Sequence, residues 1–179
     1  MKKIGILLIS FIFSSGLSAR NSTEPINRQE INNDTTVNNE FLNTSQMIEN
    51  RQFVLEADYL SNAWGYRVIV PSTLNFIRVD STKAVIQVGS NNGIGYNGVG
   101  GITTEGQISN WKVYKNDKRK NFTVSMTVMT PIGIYDVVMF VGADGNSTAT
   151  ISGLQPGKLI YDGQLVTPQE TRVFKGTSV

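Results

Sequence analysis

The chain has 179 residues, with 16 basic and 14 acidic side chains and neither cysteine nor histidine. Without cysteine there are no disulfides, thiolate metal sites, cysteine nucleophile or cysteine-linked lipid anchor. Without histidine the commonest general base and transition-metal ligand are missing as well. The length fits one domain with a substantial core.

Residues 1–19 have the pattern of an export signal. Lys2 and Lys3 precede an apolar run, Ile4–Phe13, that is too short to span a bilayer, and cleavage is predicted after Ala19. Removing the two lysines leaves 14 basic against 14 acidic residues, so the mature chain is neutral overall. A neutral chain lacks the basic footprint of a nucleic-acid-binding protein. We predict an exported protein with no nucleic-acid partner and no transmembrane span in its mature form.

Residues 20–50 are rich in Asn, Thr, Ser and Glu and form a predicted low-complexity spacer. Up to about Asn39 such a composition buries too little apolar surface to offset its ordering entropy, which predicts disorder. The segment from residue 40 to 50, EFLNTSQMIEN, can form a short helix with Phe41 and Ile48 on one face.

From residue 51 to 166 the apolar residues recur with a period of two, which predicts antiparallel strands. The clearest alternation lies in Phe122–Met129, with four inward positions: Phe122, Val124, Met126 and Val128. In Ile108–Tyr114 the same rule puts Ile108 and Trp111 on opposite faces. Eight to ten strands joined by short turns predict an all-β fold, a single antiparallel β-sandwich or β-barrel domain. Residues 167–179 are predicted to be an irregular tail.

A glycine-rich stretch from residue 89 to 106 interrupts the strands, and Gly93, Gly95 and Gly98 match the spacing G-x-G-x-x-G. A dinucleotide site needs a helix to begin there, and the glycines and β-branched residues that follow disfavour one. No cofactor is therefore predicted. Two alternatives remain for the stretch: a bent connection between strands, or a ligand-contacting loop that uses Tyr96 and Asn97.

Six short segments, in order and spacing, carry a resemblance to a known family. They are Arg51–Ala57, Asn75–Asp80, Gly100–Ile102, Lys120–Val124, Tyr135–Val137 and Tyr161–Gly163. From about residue 51 to 165 the chain resembles the uncharacterised Bacteroidetes family catalogued as domain of unknown function 4251. The resemblance implies a small β protein exported to the periplasm of a Gram-negative bacterium, and it supplies no catalytic residues.

Charged residues offer two candidate groupings. Five carboxylates lie on or beside predicted strands, but nothing in the sequence brings two of them together as an acid–base pair. A catalytic role is therefore not predicted. A basic cluster at a predicted hairpin end is either a solvated turn or a patch for anionic glycans or lipid head groups. The carboxylates are Glu56, Asp58, Glu105, Asp136 and Asp162, and the basic residues are Lys112, Lys115, Lys118, Arg119 and Lys120.

Trp64, Tyr66, Tyr96 and Trp111 either pack in the core or form an aromatic platform for a ligand. With Asn97 they are the predicted ligand-binding residues. We predict a non-enzymatic binding module for a small molecule, glycan or protein in the periplasm. The alternative is a structural or protein-interaction module of the cell envelope without a small-molecule pocket. An apolar cavity under the glycine-rich stretch would favour the binding module. A filled core with an exposed flat patch would favour the structural or interaction module.

Overall fold

The computed structural model describes residues 28–90, 98–154 and 157–179, so the predicted signal sequence, Tyr96 and Asn97 lie outside it. The described residues form one helix and nine strands. In chain order they are α1 (Arg28–Glu49), β1 (Gln52–Asn62), β2 (Arg67–Ile69), β3 (Phe76–Asp80), β4 (Lys83–Val88), β5 (Ile102–Asn116), β6 (Asn121–Thr130), β7 (Gly133–Val141), β8 (Asn146–Leu154) and β9 (Gly157–Val166).

Eight strands close into an antiparallel barrel. From β3 to β9 each strand pairs with the next along the chain, and β1 closes the ladder by pairing with both β3 and β9. Val54 of β1 thus lies opposite Arg78 of β3 and opposite Val166 of β9. The short strand β2 pairs with the far end of β1. The predicted all-β class is confirmed, and of the two predicted architectures the barrel is the one formed.

Alternation along the strands places the core inside the barrel. The four predicted inward residues of β6 are all buried, whereas Thr123, Ser125 and Thr127 between them are partly exposed. On β7 the buried residues are Tyr135, Val137, Met139 and Val141. A side-chain period of two therefore assigns the barrel interior correctly wherever the ladder is regular.

A β-bulge in β5 overturns one prediction. The pairing of β5 with β6 shifts register between Ser109 and Lys112, and Asn110 has a φ of 52°. The extra residue resets the alternation, so Ile108 and Trp111 both pack against the barrel core. Their predicted placement on opposite faces was wrong, because composition does not reveal a bulge.

Helix α1 is longer than the predicted short helix and begins at Arg28, inside the segment predicted to be a disordered spacer. Only its second half is anchored: Phe41, Thr44, Ser45 and Ile48 are buried, while residues 35–40 are exposed. Extending a helix costs less than nucleating one, so the packed turns support the exposed ones. No helix in the described ranges is long and apolar enough to cross a membrane.

The buried face of α1 covers one end of the barrel. The ring of Phe41 stacks on that of Phe122 at the start of β6, with centroids 4.9 Å apart. The Thr44 hydroxyl donates a hydrogen bond of 2.9 Å to the carbonyl of Ala143, which follows β7. At this end β1, β4, β6 and β8 begin and β3, β5, β7 and β9 finish.

Residues 167–179 have no helix or strand, but they pack against the outer face of the barrel. Gln87 of β4 is fully buried beneath them, and its amide Nε2 donates to the Phe174 carbonyl at 2.8 Å. Its Oε1 accepts from the Gly176 N–H at 2.8 Å. The segment predicted as an irregular tail is therefore held on the barrel by a side chain of β4.

Candidate functional site

An apolar cavity of about 270 Å³ lies at the barrel end opposite α1. It is lined by the end of strand β4, the beginnings of β5, β7 and β9, the β6–β7 turn and a residue of β8. None of these described lining residues is ionisable apart from a tyrosine. They are Ile86, Val88, Gly101, Ile102, Thr104, Ile132, Tyr135, Ile151 and Leu159.

Two features shape this cavity. At Gly101 a Cβ atom would overlap the carbonyl oxygen of Val88, so only glycine allows β4 and β5 to approach here. On β9, Tyr161 lies one inward-facing position deeper than Leu159 and is fully buried. Its hydroxyl donates a hydrogen bond of 3.1 Å to the main-chain carbonyl of Gln87. Tyr161 thus fills the interior below the cavity.

The cavity borders the glycine-rich stretch. The stretch leaves β4 after Val88 and enters β5 at Gly101 and Ile102, and all three residues line the cavity. The described residues at both ends of the stretch therefore lie beside an apolar cavity.

Two hydroxyl groups are the polar elements of the cavity wall. Thr104 is only 3% exposed, and within the described ranges its hydroxyl has no hydrogen-bond partner. The Tyr135 ring is buried, and its hydroxyl lies 3.3 Å from where a Cβ on Gly133 would be. The surface of the wall is therefore almost wholly apolar, and Thr104 and Tyr135 are the lining side chains that carry a hydrogen-bonding group.

The predicted ligand-binding residues within the described ranges do not meet at this cavity. Trp64 and Tyr66 lie between β1 and β2 and are 82% and 71% exposed. Trp111 is half-buried toward the α1 end, 6.4 Å from Phe53 between ring centroids and beneath the Arg51 guanidinium. Tyr96 and Asn97 lie outside the described residues, so their role stays a prediction.

The predicted carboxylates are engaged in contacts on the outer surface. Asp58 and Asp162 line one shallow depression, where Asp162 pairs with Arg67 at 3.4 Å. Glu56 accepts a hydrogen bond from the Thr171 hydroxyl. A hydrogen bond from the Lys175 ammonium, opposed by burial, holds the pKa of Glu105 below its usual range. No group of three or more acidic residues in the described part of the chain is placed to hold a metal ion.

Two members of the basic cluster hold α1 against the barrel. The Lys115 ammonium donates to the Ser45 hydroxyl at 2.9 Å and lies 3.8 Å from a Glu49 carboxylate oxygen. The Lys120 ammonium lies 4.9 Å from the centroid of the Phe41 ring. These contacts give two of the five basic residues at the β5–β6 hairpin end a structural role that neither predicted alternative included.

Comparison with known proteins places the chain in a family. A family model described as "Domain of unknown function (DUF4251)" matches residues 35–165. The chain belongs to the DUF4251 family. The match runs from within α1 to the end of β9, so it includes the packed half of the helix and the whole barrel. The family resemblance predicted from six short segments is confirmed.

A solved DUF4251 structure has the same fold. The crystal structure of a DUF4251 family protein from Bacteroides eggerthii DSM 20697, at 1.95 Å resolution, matches with a TM-score of 0.62 and 27% sequence identity. The match covers 75% of this chain and 92% of that one. No curated protein matches the chain.

Proposed function

We propose that this DUF4251 protein is a non-enzymatic binding module that holds a small apolar molecule in the cavity at the barrel end opposite α1. The observation that carries the proposal is the unequal filling of the barrel. Toward α1 the interior is packed with Phe41, Phe53 and Phe122, and toward the other end about 270 Å³ of apolar-walled space remains.

Such a space supports binding because transfer of an apolar molecule from water into it is favourable, in proportion to the apolar area buried. The wall comes from neighbouring strands of a closed barrel, and the close approach of β4 and β5 at Gly101 is part of that backbone. A site built on strands needs little ordering when the ligand enters, so less binding free energy is lost.

Export to the periplasm is part of the proposal and rests on the signal-like sequence of residues 1–19. Native and denatured mass spectra of the protein from its own host test it. The denatured mass is expected to correspond to a chain that begins near Arg20. The native mass is expected to exceed it by the mass of a releasable molecule. A full-length chain contradicts export, and equal masses count against a tightly held ligand.

The cavity itself is tested with naphthalene, a compact neutral hydrocarbon, by equilibrium dialysis. Ile132→Trp puts a large ring into the cavity wall at an exposed turn and is expected to weaken naphthalene binding by about tenfold or more. Ile134→Trp is the matched control, because Ile134 lies two residues away on the outer face and is 62% exposed. Equal affinity of the two variants, or no binding by the unmodified protein, contradicts the proposal.

A second candidate function is protein interaction through the β1–β2 hairpin. Trp64, Tyr66, Val68 and Ile69 are all exposed there, an apolar concentration that is typical of contact surfaces. Replacement of Trp64 and Ile69 by serine tests this candidate against the first. Loss of a co-purifying envelope protein with unchanged naphthalene binding supports interaction, and an unchanged set of co-purifying proteins contradicts it.

A further inference from the structure

We infer that the molecule held in the cavity is uncharged and carries a hydrogen-bonding oxygen, which pairs with the hydroxyl of Thr104. This inference rests on the proposed function and specifies its ligand as a neutral alcohol, phenol, ketone or ester with an apolar body.

Thr104 is exceptional among the buried polar side chains of the described residues. Each of the others has a hydrogen-bond partner: the Thr44 hydroxyl bonds to the Ala143 carbonyl, and Asn75 bonds to the main chain of Gly89. The Thr103 hydroxyl bonds to Gln87, and the Ser147 hydroxyl to the Gly145 carbonyl. The Thr104 hydroxyl alone in this group has none.

An unpaired buried hydroxyl is unfavourable, because it has lost its hydrogen bonds to water and gained nothing in return. Valine has the same shape and avoids that cost, so threonine is the worse choice for an empty apolar wall. The register of β4 and β5 pairs Thr104 with Ile86, and both residues line the cavity. A ligand oxygen at this point supplies the missing partner.

The side chain can present its hydroxyl to a ligand without movement of the strand. A rotation of about 120° about the Cα–Cβ bond moves the hydroxyl into the position of the methyl group, while the methyl group takes the position of the Cβ hydrogen. Thr104 lines the cavity although its hydroxyl oxygen is buried, so the methyl group is the part of the side chain that the hydroxyl replaces beside the ligand. The hydroxyl is then both donor and acceptor, so it can pair with an alcohol, a phenol or a carbonyl oxygen.

The absence of charge on the described wall selects a neutral ligand. Lys, Arg, Asp and Glu are all missing from the described lining residues, so a carboxylate or ammonium placed beside Thr104 would be buried without a counter-ion. The adjacent Glu105 lies on the outer face of β5, where it pairs with Lys83 and Lys175. Its charge is already balanced outside the barrel.

Tyr135 provides a second hydroxyl on the same wall, beside the β6–β7 turn at Gly133. No hydrogen bond among the described residues uses it. It lies at the turn rather than on the β4–β5 side, so it can serve a different atom of the ligand from the one that pairs with Thr104.

The test compares naphthalene, 2-naphthol and 2-naphthoate, which share one ring system and differ in hydrogen bonding and charge. The ratio of 2-naphthol to naphthalene affinity is measured in the unmodified protein and in Thr104→Val. We expect the ratio to fall about fivefold in the variant, the value of one ordinary hydrogen bond. In the unmodified protein 2-naphthoate is expected to bind more weakly than naphthalene.

Two further variants distinguish hydrogen bonding from packing. Thr104→Ser keeps the hydroxyl and is expected to retain the preference for 2-naphthol, whereas Tyr135→Phe, which leaves Thr104 intact, is expected to retain most of it. If the affinity ratio is the same in Thr104→Val as in the unmodified protein, or if 2-naphthoate binds as tightly as 2-naphthol, the inference is overturned while naphthalene binding still supports the proposed function. If no probe binds, both fail.

Discussion

The hydroxyl of Tyr161 on β9 reaches the main-chain carbonyl of Gln87 on β4 at 3.1 Å, although β1 and β3 lie between these two strands in the barrel ladder. The fully buried ring of Tyr161 therefore fills the interior immediately below the cavity. The same residue that limits the depth of the cavity also ties its two sides together.

Tyr161→Phe is expected to lower the free energy of unfolding by about 1 kcal/mol at pH 7, because one buried hydrogen bond is lost. Urea unfolding followed by circular dichroism measures this difference. Tyr114→Phe is the control, since Tyr114 is exposed on β5, and it is expected to change stability by less than about 0.5 kcal/mol. A larger effect at Tyr114 than at Tyr161 contradicts the structural role of the buried hydroxyl.

The unmodified protein and Tyr161→Phe are expected to differ in how their stability depends on pH above 10. Burial raises the pKa of Tyr161 above its ordinary value of 10.0, so above that pH the unfolded chain loses a proton that the folded chain keeps. Stability then falls by about 1.4 kcal/mol per pH unit from this group, and Tyr161→Phe lacks that contribution. The difference in the free energy of unfolding between the unmodified protein and Tyr161→Phe is therefore expected to shrink as the pH rises from 10 to 11. Parallel pH profiles refute this.

Phe41→Ala is expected to destabilise the protein by about 3 kcal/mol, because it removes a buried ring that stacks on Phe122 and leaves a cavity beneath α1. The neighbouring Leu42 is exposed on the same helix, so Leu42→Ala is expected to be nearly neutral. Urea unfolding measures both variants. Similar losses at the two positions would show that α1 contributes helix content and not packing.

Gly101→Ala is expected to destabilise the barrel by about 1–3 kcal/mol, because the new Cβ overlaps the Val88 carbonyl and separates β4 from β5. Naphthalene binding is expected to weaken in parallel. Gly157→Ala, at the start of β9, is the matched control, since its Cβ would have no atom within 4 Å. If Gly101→Ala retains both stability and binding, the close approach of the two strands does not shape the site.

Gln87→Leu is expected to release residues 173–179 from the barrel, because it removes the side-chain hydrogen bonds to Phe174 and Gly176. Trypsin is expected to cleave after Lys175 faster in this variant, as detected by mass spectrometry of timed samples. Gln107→Leu on the exposed face of β5 is expected to leave the cleavage rate unchanged. Equal rates in the two variants contradict the anchoring role of Gln87.

Much of the fold could be predicted from the sequence because its strands are regular. The alternation of β6 depends on neighbours a few residues away, which the sequence displays directly. The β5 bulge at Asn110 and the early start of α1 at Arg28 could not be predicted. Each depends on contacts with distant parts of the chain, such as the packing of Trp111 and Phe41 against the core.

The candidate site was less predictable than the fold. Period-two alternation indicates which face of a strand a residue occupies, but not which end of the barrel it lies near. Trp111 lies near the α1 end, whereas the cavity is at the opposite end. Thr104 gives a weak signal in the sequence, because the threonine pair at 103 and 104 puts one hydroxyl on each face of β5. Only the structure shows that Thr103 is bonded and Thr104 is not.

The pairing of β1 with β9 determines when this protein can finish folding. In a chain that emerges from the ribosome or a translocation channel N-terminus first, all the strand pairs of the barrel apart from β1–β9 can form before Val166 is available to meet Val54. Until then the sheet is open and both edges present unpaired N–H and C=O groups, which are templates for aggregation. The last strand pair to form is thus the one that removes this hazard.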